Sequence, residues 1–288
     1  MLANSLWKFT SIALAAFCAT SAQADPLRPI RLPINGVTLD AIDHLPSIID
    51  SLSSLSRPMT ARVVFDENVP ASDYVHAVQK ISQVSYVMGE ILDSAYVKQY
   101  SVDAYKARAV EYVGALGGFV DIWEVGNEIN GEWLGDTATV VAKMTSAYDV
   151  VKTNGYRTAL TLYYNQDCWS RADHEMFAWA GANVPDRMKQ GLDFVLVSYY
   201  EDDCNGLQPD WKAAFSRLHA MFPGALIGFG ETGTRRAARK SAYVTRYYGM
   251  DVDVPNYVGG YFWWYFAEDM VPRTKPLWRT LADAMALP

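Results

Sequence analysis

Two glutamates, Glu128 and Glu231, have the sequence setting best suited to chemistry. Glu128 ends the run Trp-Glu-Val-Gly-Asn-Glu at 123–128, and Glu231 ends the apolar run at 225–230. An apolar run that stops at polar residues is typical of a buried parallel strand that delivers side chains to a loop at its carboxyl end. Two carboxyl groups delivered in this way could serve glycoside cleavage, which needs one acid and one carboxylate.

Aromatic residues occur at other predicted strand ends and in the loops that follow them. Their flat faces could pack on sugar rings, while polar groups bind the hydroxyls. The candidates are Tyr199, Tyr200, Trp263 and Trp264 at strand ends, and Trp133 and Trp169 in loops. The two loop tryptophans either line a sugar subsite or pack under their loops. The four histidines are far apart and form no serine–histidine pair. We therefore expect no metal and no cofactor.

Eight predicted strands alternate with eight helical patterns along the chain. The fourth strand leads to Glu128, and the others are 32–37, 61–66, 85–92, 156–163, 193–199, 225–230 and 257–266. The predicted helices are 41–55, 72–83, 101–116, 136–154, a region within 171–190, 209–222, 236–248 and 276–286. This alternation predicts a single (β/α)8 barrel. A doubly wound open sheet is the alternative, but no glycine-rich phosphate loop follows the first strand.

The first 24 residues have the pattern of a secretory signal peptide. Lys8 precedes an apolar stretch at 9–19, and Ala22-Gln23-Ala24 fits a cleavage site. We therefore expect a catalytic domain at 25–288 in a periplasmic or secreted protein. No other stretch approaches the roughly 18–20 apolar residues of a membrane span.

The chain has a net charge of −7, which loss of Lys8 would make more negative. This acidity argues against nucleic acid and anionic membranes as partners and fits a neutral ligand. We expect a monomer that binds a carbohydrate. Cys168 and Cys204 remain after signal-peptide removal, and an even number in an oxidising compartment favours one disulfide over two free thiols.

Four motifs resemble those of the clan A retaining glycoside hydrolases. They are Trp-Glu-Val-Gly-Asn-Glu at 123–128, Ser-Tyr-Tyr at 198–200, Phe-Gly-Glu-Thr-Gly at 229–233 and Gly-Tyr-Phe-Trp-Trp at 260–264. Those enzymes are (β/α)8 barrels, and the resemblance implies that Glu128 is the acid/base and Glu231 the nucleophile. It covers the element order of the whole chain after the signal peptide, with detailed matches only in the motifs. Two departures, Gly126 and the lack of histidine at the sixth strand end, leave the exact family open.

The same resemblance implies roles for neighbouring side chains. Asn127 would bind the sugar 2-hydroxyl. Tyr200, favoured over Tyr199 because it shares parity with Ser198, would hold Glu231 ionised. Trp264, favoured over Trp263, would form a sugar platform. Arg62 either braces the nucleophile or satisfies an acid inside the barrel, and both can hold together; Glu124 is expected to be structural.

The expected activity is cleavage of β-linked polysaccharide with retention of configuration, through endo action. Retention requires the carboxyl groups of Glu128 and Glu231 to lie about 5–5.5 Å apart. A transglycosylase that remodels an exported glycan and a catalytically idle barrel that binds polysaccharide are the alternatives. Beyond Glu231, Arg235 and Arg236 either contact an acidic sugar or form a charge pair that opens a helix.

Overall fold

Eight parallel strands close into a barrel in the computed structural model, which describes residues 27–286. Strand order follows chain order, and the last strand pairs with the first. The strands are β1 (Ile34–Leu39), β2 (Thr60–Val64), β3 (Tyr86–Glu90), β4 (Ile122–Gly126), β5 (Arg157–Tyr163), β6 (Phe194–Tyr199), β7 (Leu226–Thr232) and β8 (Gly259–Trp263). The predicted single (β/α)8 barrel is confirmed. The predicted signal peptide lies outside the described residues.

Helices follow the strands and pack on the outside of the barrel. They are α1 (Leu45–Ser53), α2 (Val75–Ser82), α3 (Val102–Leu116), α4 (Thr137–Thr153), α5 (Met176–Asn183), α6 (Asp186–Gly191), α7 (Trp211–Met221), α8 (Ala237–Tyr248), α9 (Phe266–Met270) and α10 (Pro276–Met285). Short 3₁₀ turns occur at Ala71–Asp73, Ser94–Gln99 and Ala172–His174. Within residues 27–286, no helix is long and apolar enough to cross a membrane.

Side-chain caps fix the start of several helices close to where the sequence places them. Ser101 accepts a hydrogen bond from the Ala104 N–H, and Asp136 accepts bonds from two backbone N–H groups at the start of α4. Such caps satisfy backbone donors that have no partner within the helix. The predicted helices at 101–116 and 136–154 therefore agree with α3 and α4 within one residue at each end.

Two predicted helices are wrong in extent and a third predicted region contains two helices; prolines explain two of these three outcomes. The helix predicted at 41–55 begins only at Leu45, because Pro46 fits the first turn and not the interior. The region at 171–190 divides into α5 and α6 at Pro185, after a 3₁₀ turn. The helix predicted at 72–83 begins at Val75, after the turn at Ala71–Asp73, so neither Ser72 nor Asp73 caps it.

The seventh and eighth strands also differ from their predicted extents. β7 continues to Thr232, so Glu231 lies inside the strand. β8 is five residues long, and positive φ values at 259–262 interrupt its extended backbone. Trp264 therefore begins the loop after β8.

The barrel interior is divided into an apolar layer and a polar layer. The apolar layer contains Ile34, Met88, Ile122, Ala159, Phe194, Leu196, Val258 and Phe262. Phe262 packs on Gly36, where an added Cβ would lie 2.5 Å from the phenyl ring, so glycine is required there. The polar layer lies nearer the carboxyl ends of the strands.

A disulfide joins Cys168, in the loop after β5, to Cys204, in the loop after β6, as predicted. Their Cα atoms are 5.2 Å apart, within the range that a bridge permits. The bridge ties together two loops at the carboxyl end of the barrel, which is where active sites of such barrels lie.

We expect reduction of the purified protein to raise its intact mass by about 2 Da, because two thiols replace one S–S bond. The bridge closes a loop with a sequence separation of 36. A loop of this length predicts that the double variant Cys168→Ser/Cys204→Ser loses about 3–4 kcal/mol of unfolding free energy. Urea denaturation measures this loss, with reduced wild type as the matched control. An unchanged mass on reduction would show that the bridge is not formed.

Candidate active site

Arg62 lies on β2 inside the barrel and has no solvent exposure. Its guanidinium donates from Nε and Nη2 to the two carboxylate oxygens of Glu124, at 2.7 and 3.1 Å. Nη1 donates to Glu231 Oε2 at 2.8 Å. Arg62 therefore makes the contacts that both roles considered for it need: it binds an interior acid and it contacts the candidate nucleophile.

Glu124 orients the guanidinium of Arg62. This is a more specific role than the structural one expected from the sequence. A bidentate carboxylate fixes the plane of a guanidinium and so fixes where the remaining N–H groups point. Glu124 also accepts a hydrogen bond from the Thr161 hydroxyl on the next strand. The pairing of β3 with β4 places Glu90 beside Glu124.

Glu90 is fully buried and lies against the same guanidinium. Arg62 Nη2 is 3.1 Å from Glu90 Oε2, yet neither carboxyl oxygen of Glu90 has a hydrogen bond with a described residue. Burial holds the pKa of Glu90 well above its ordinary value, and the Arg62 charge offsets this only in part. The raised pKa favours the protonated form of Glu90, and Glu124, with two hydrogen bonds from the guanidinium, is the carboxylate that Arg62 binds most fully.

Glu231 is 4% exposed and each of its oxygens has a donor. Tyr200 donates to Oε1 at 2.5 Å, while Arg62 donates to Oε2. Tyr199 points elsewhere: its hydroxyl donates to the Leu207 carbonyl at 2.6 Å, and its ring packs on Trp211. Adjacent residues of a strand point to opposite faces, so only one of these tyrosines can reach Glu231. Tyr199 is wrong as a substrate-contacting candidate.

Glu128 lies just beyond β4 and is held through two hydroxyl groups. Ser198 on β6 donates to Oε1 at 2.7 Å, and Ser94 donates to Oε2 at 2.9 Å. The backbone of Glu128 has φ of 46°, a left-handed conformation that side chains adopt rarely and that often occurs at functional sites. The indole N–H of Trp133 donates to Ser94 at 3.1 Å.

Sequence reasoning missed Ser94 and the contact made by Ser198. Ser94 lies in a 3₁₀ turn after β3 that the apolar pattern does not reveal. Ser198 could have been found, because it has the same parity as Tyr200, the residue just after β6, and so points to the same side of the barrel.

Burial raises the pKa of both candidate carboxyl groups. The pKa of Glu231 is raised to about 8, against the lowering effects of the Arg62 charge and the Tyr200 hydrogen bond. The pKa of Glu128 is also raised by burial, against hydrogen bonds from Ser198 and Ser94. A nucleophile must be ionised, so a raised pKa at Glu231 opposes that role. Contact with the Arg62 guanidinium, which Glu128 lacks, favours the ionised form of Glu231 and so acts in the direction that this role requires.

The other candidates occupy different positions around the two carboxyl groups. Asn127 is 2% exposed, and its Oδ1 has no hydrogen-bond partner among the described residues. Trp264 is half-buried, with its ring centroid 5.6 Å from Arg62 Cζ. Trp263 is fully buried and donates to Asp269, so it is wrong as the platform alternative. Trp133 and Trp169 are each 42% exposed on their loops.

A closed (β/α)8 barrel with buried carboxyl groups at the ends of β4 and β7 has the fold of the clan A glycoside hydrolases. No protein-family model and no curated protein matches the chain.

Solved structures of Gas2p from Saccharomyces cerevisiae share the fold. The complex with laminaritriose and laminaritetraose is 16% identical to this chain, with a TM-score of 0.55. The complex with laminaripentaose is 15% identical, with a TM-score of 0.55. Both comparisons cover 88% of this chain and 64% and 65% of those chains, so the chain spans slightly less than two thirds of the length of these structures. At this identity the likeness establishes the fold alone.

The contrast between Glu124 and Glu90 predicts unequal effects of the same substitution. Glu124→Gln removes the main counter-charge of a buried guanidinium and is expected to reduce the unfolding free energy by about 3–5 kcal/mol. Because its raised pKa favours the protonated form of Glu90, Glu90→Gln exchanges an acid for an amide of the same shape and is expected to change the unfolding free energy by less than about 1 kcal/mol. Urea denaturation at pH 7 measures both. Equal losses would show that Glu90 is ionised.

Glu231 should make stability depend on pH. Between its ordinary pKa of 4.5 and about 8, the folded protein keeps a proton that the unfolded chain has lost. Its stabilising contribution is therefore complete below pH 4.5 and is lost as pH rises through about 8, at up to about 1.4 kcal/mol per pH unit. Glu231→Gln cannot ionise, so its unfolding free energy should exceed that of wild type increasingly from pH 5 to pH 8.

Denaturation of both proteins at pH 5, 6.5 and 8 measures this difference. Asp283→Asn, on the exposed side of α10, is the matched control and should show no trend. A difference between Glu231→Gln and wild type that is constant with pH would contradict the raised pKa.

Proposed function

We propose that the protein is a retaining β-glycosidase that cleaves a polysaccharide by double displacement, with Glu128 as acid/base and Glu231 as nucleophile. The observation that carries this proposal is that β6 and the residue that follows it link the two carboxyl groups. Ser198 binds Glu128 and Tyr200 binds Glu231. Ser198 also pairs with Glu231 in the β6–β7 register, so the two acids face one space from neighbouring positions.

In the first step, a carboxylate oxygen of Glu231 attacks the anomeric carbon as the glycosidic C–O bond breaks. Glu128 gives its proton to the departing oxygen, and a covalent glycosyl–enzyme forms. The hydroxyl partners of Glu128 carry no charge, so burial can keep it protonated before this step. Arg62 and Tyr200 support the negative charge that Glu231 brings to the reaction.

In the second step, Glu128 accepts a proton from water, and the water oxygen attacks the anomeric carbon. The bond to Glu231 breaks and its carboxylate is restored. Two inversions give net retention, and the required separation of the carboxyl groups of about 5–5.5 Å stays a prediction. In a transglycosylase, a sugar hydroxyl takes the place of water without any change in these residues.

Three features support a sugar ligand. The unpartnered Oδ1 of Asn127 is costly to bury unless its amide serves a ligand, and we assign the amide to the sugar 2-hydroxyl. Trp264 provides a ring face beside the nucleophile for the sugar platform. The exposed rings of Trp133 and Trp169 could extend the contact to sugars further along the chain.

The substrate class follows from the same site and from the structural neighbours. Gas2p binds laminari-oligosaccharides, which are β-linked glucose chains, and this supports a β-linked backbone for the substrate here. We propose endo action, because the exposed tryptophans lie on two neighbouring loops of the active face. The disulfide is compatible with export to the periplasm or beyond.

We expect Glu128→Ala to lose roughly 10²–10⁴-fold in kcat/KM on a polysaccharide such as laminarin, because protonation of a poor leaving group is lost. On an aryl glycoside with a good leaving group the first step should survive. Added azide should then restore turnover and give the β-glycosyl azide. Glu231→Ala with azide should give the α-glycosyl azide instead, through a single inversion.

Product analysis by NMR on these reactions decides between the alternatives. Asp283→Asn, on the exposed side of α10, is the control and should retain wild-type turnover. Initial products with the α configuration would contradict retention. Products longer than the substrate would indicate transglycosylation. Binding of the glycan without any turnover in the wild type would favour the idle barrel.

A further inference from the structure

A cavity of about 460 Å³ adjoins the candidate nucleophile on the side of β6, β7 and β8. Tyr200 and Trp264 line it, and these are the phenol that binds Glu231 and the ring beside Arg62. A sugar that rests on Trp264 would therefore extend into this cavity. Its lining decides which substituents of that sugar, or of its neighbour, can be accepted.

Arg235 lines the cavity and has a guanidinium available for a ligand. It is exposed, and its one side-chain hydrogen bond among residues 27–286 joins Nε to the Tyr265 hydroxyl at 3.3 Å. It forms no ion pair with any described carboxylate. Its terminal N–H groups keep the forked geometry that matches a carboxylate through two parallel hydrogen bonds.

Arg236 adds a second positive charge to the lining. Its Nε lies 3.6 Å from Asp202 Oδ1, but Asp202 is already bound by Arg239 and Thr234. The single negative charge of Asp202 is thus shared between Arg236 and Arg239. Asp203 also lines the cavity and is exposed without an ion pair, so it opposes a bound anion.

Helix stability does not explain the arginines. Arg236 stands at the N-terminal cap of α8, makes no side-chain cap, and no acidic residue occupies the first turn. Positive side chains are unfavourable at this end of a helix, where the macrodipole is positive. The interpretation of Arg235 and Arg236 as a helix-opening charge pair is therefore disfavoured, and the acidity of the whole chain makes a local basic pair more notable.

We propose that this cavity is a subsite for a carboxylate carried by the substrate, so that the protein acts on an acidic β-linked polysaccharide. This inference rests on the proposed glycosidase function and deepens it. Arg235 would bind the carboxylate, Arg236 would strengthen the local positive potential, and Trp264 would hold the sugar ring. The carboxylate could belong to a uronic acid or to an acidic substituent such as a pyruvate ketal.

Binding to the inactive variant Glu231→Gln tests the subsite without requiring turnover. The first probe is a set of glucuronate-containing oligosaccharides from gellan, compared by calorimetry with the same material after reduction of each carboxylate to an alcohol. The second probe is succinoglycan oligosaccharides before and after removal of their acidic substituents. We expect the acidic member of one pair to bind about 10–100-fold more tightly, and the pair that responds identifies the source of the carboxylate.

Substitutions of opposite charge sharpen the test. In the same background, Arg235→Gln should abolish the preference, whereas Asp203→Asn should increase it, since a repelling charge is removed. Arg279→Gln, an equal change of charge on α10, should leave it unaltered. A structural disturbance of the loop would weaken binding in both cavity variants.

Equal binding within both pairs, or a preference that survives Arg235→Gln, would overturn the subsite. If the wild type hydrolyses neutral laminarin and the oligosaccharide carboxylate has no effect on binding, the proposed glycosidase function stands and this inference is wrong. Charge-dependent binding without turnover of any glycan by the wild type would support the subsite and remove the enzymatic function.

Discussion

The burial of one guanidinium among several carboxyl groups is the constraint on which the polar layer of this barrel depends. Arg62 contacts Glu124, Glu231 and Glu90, and Glu128 lies close enough for its charge to raise the pKa of Glu231. One positive charge cannot compensate four negative charges in a buried space. Burial accordingly raises the pKa of Glu90, Glu128 and Glu231, which favours retention of protons in the cluster. A buried site that excludes water and retains protons is suited to general acid chemistry.

β6 and the residue that follows it fix the positions of the two candidate catalytic groups. Ser198 and Tyr200 point inward from alternate positions, and each binds a different carboxyl group. Tyr199, between them, points outward and joins an aromatic cluster with Tyr164 and Trp211. A shift of register by one residue would exchange these faces and break both contacts together. The aromatic cluster therefore stabilises the register that the site requires.

The sequence predicts the barrel, and it points to the candidate site residues, because both leave local signals. Alternating strands and helices specify the fold, and polar residues after apolar runs mark Glu128 and Glu231. The function of Glu124 leaves no such signal, because it depends on the pairing of β2, β3 and β4, which brings Arg62 close enough for its side chain to reach Glu124. No sequence signal reveals Ser94 either, since its 3₁₀ turn has no periodic pattern of apolar residues. The choice between Tyr199 and Tyr200 could be made from parity alone.

Loops are in general more mobile than strands and helices, but the loop after β6 holds a precise contact. It begins with Tyr200, whose hydroxyl must stay on Glu231. Glu201 is 3% exposed and accepts hydrogen bonds from Arg246 and Tyr247 on α8, and Cys204 bonds the loop covalently to its neighbour. Three anchors within five residues remove most of the freedom that a polar loop would otherwise have. Because a preorganised donor needs no rearrangement during reaction, this rigidity would serve the electrostatic support of Glu231 in the proposed reaction.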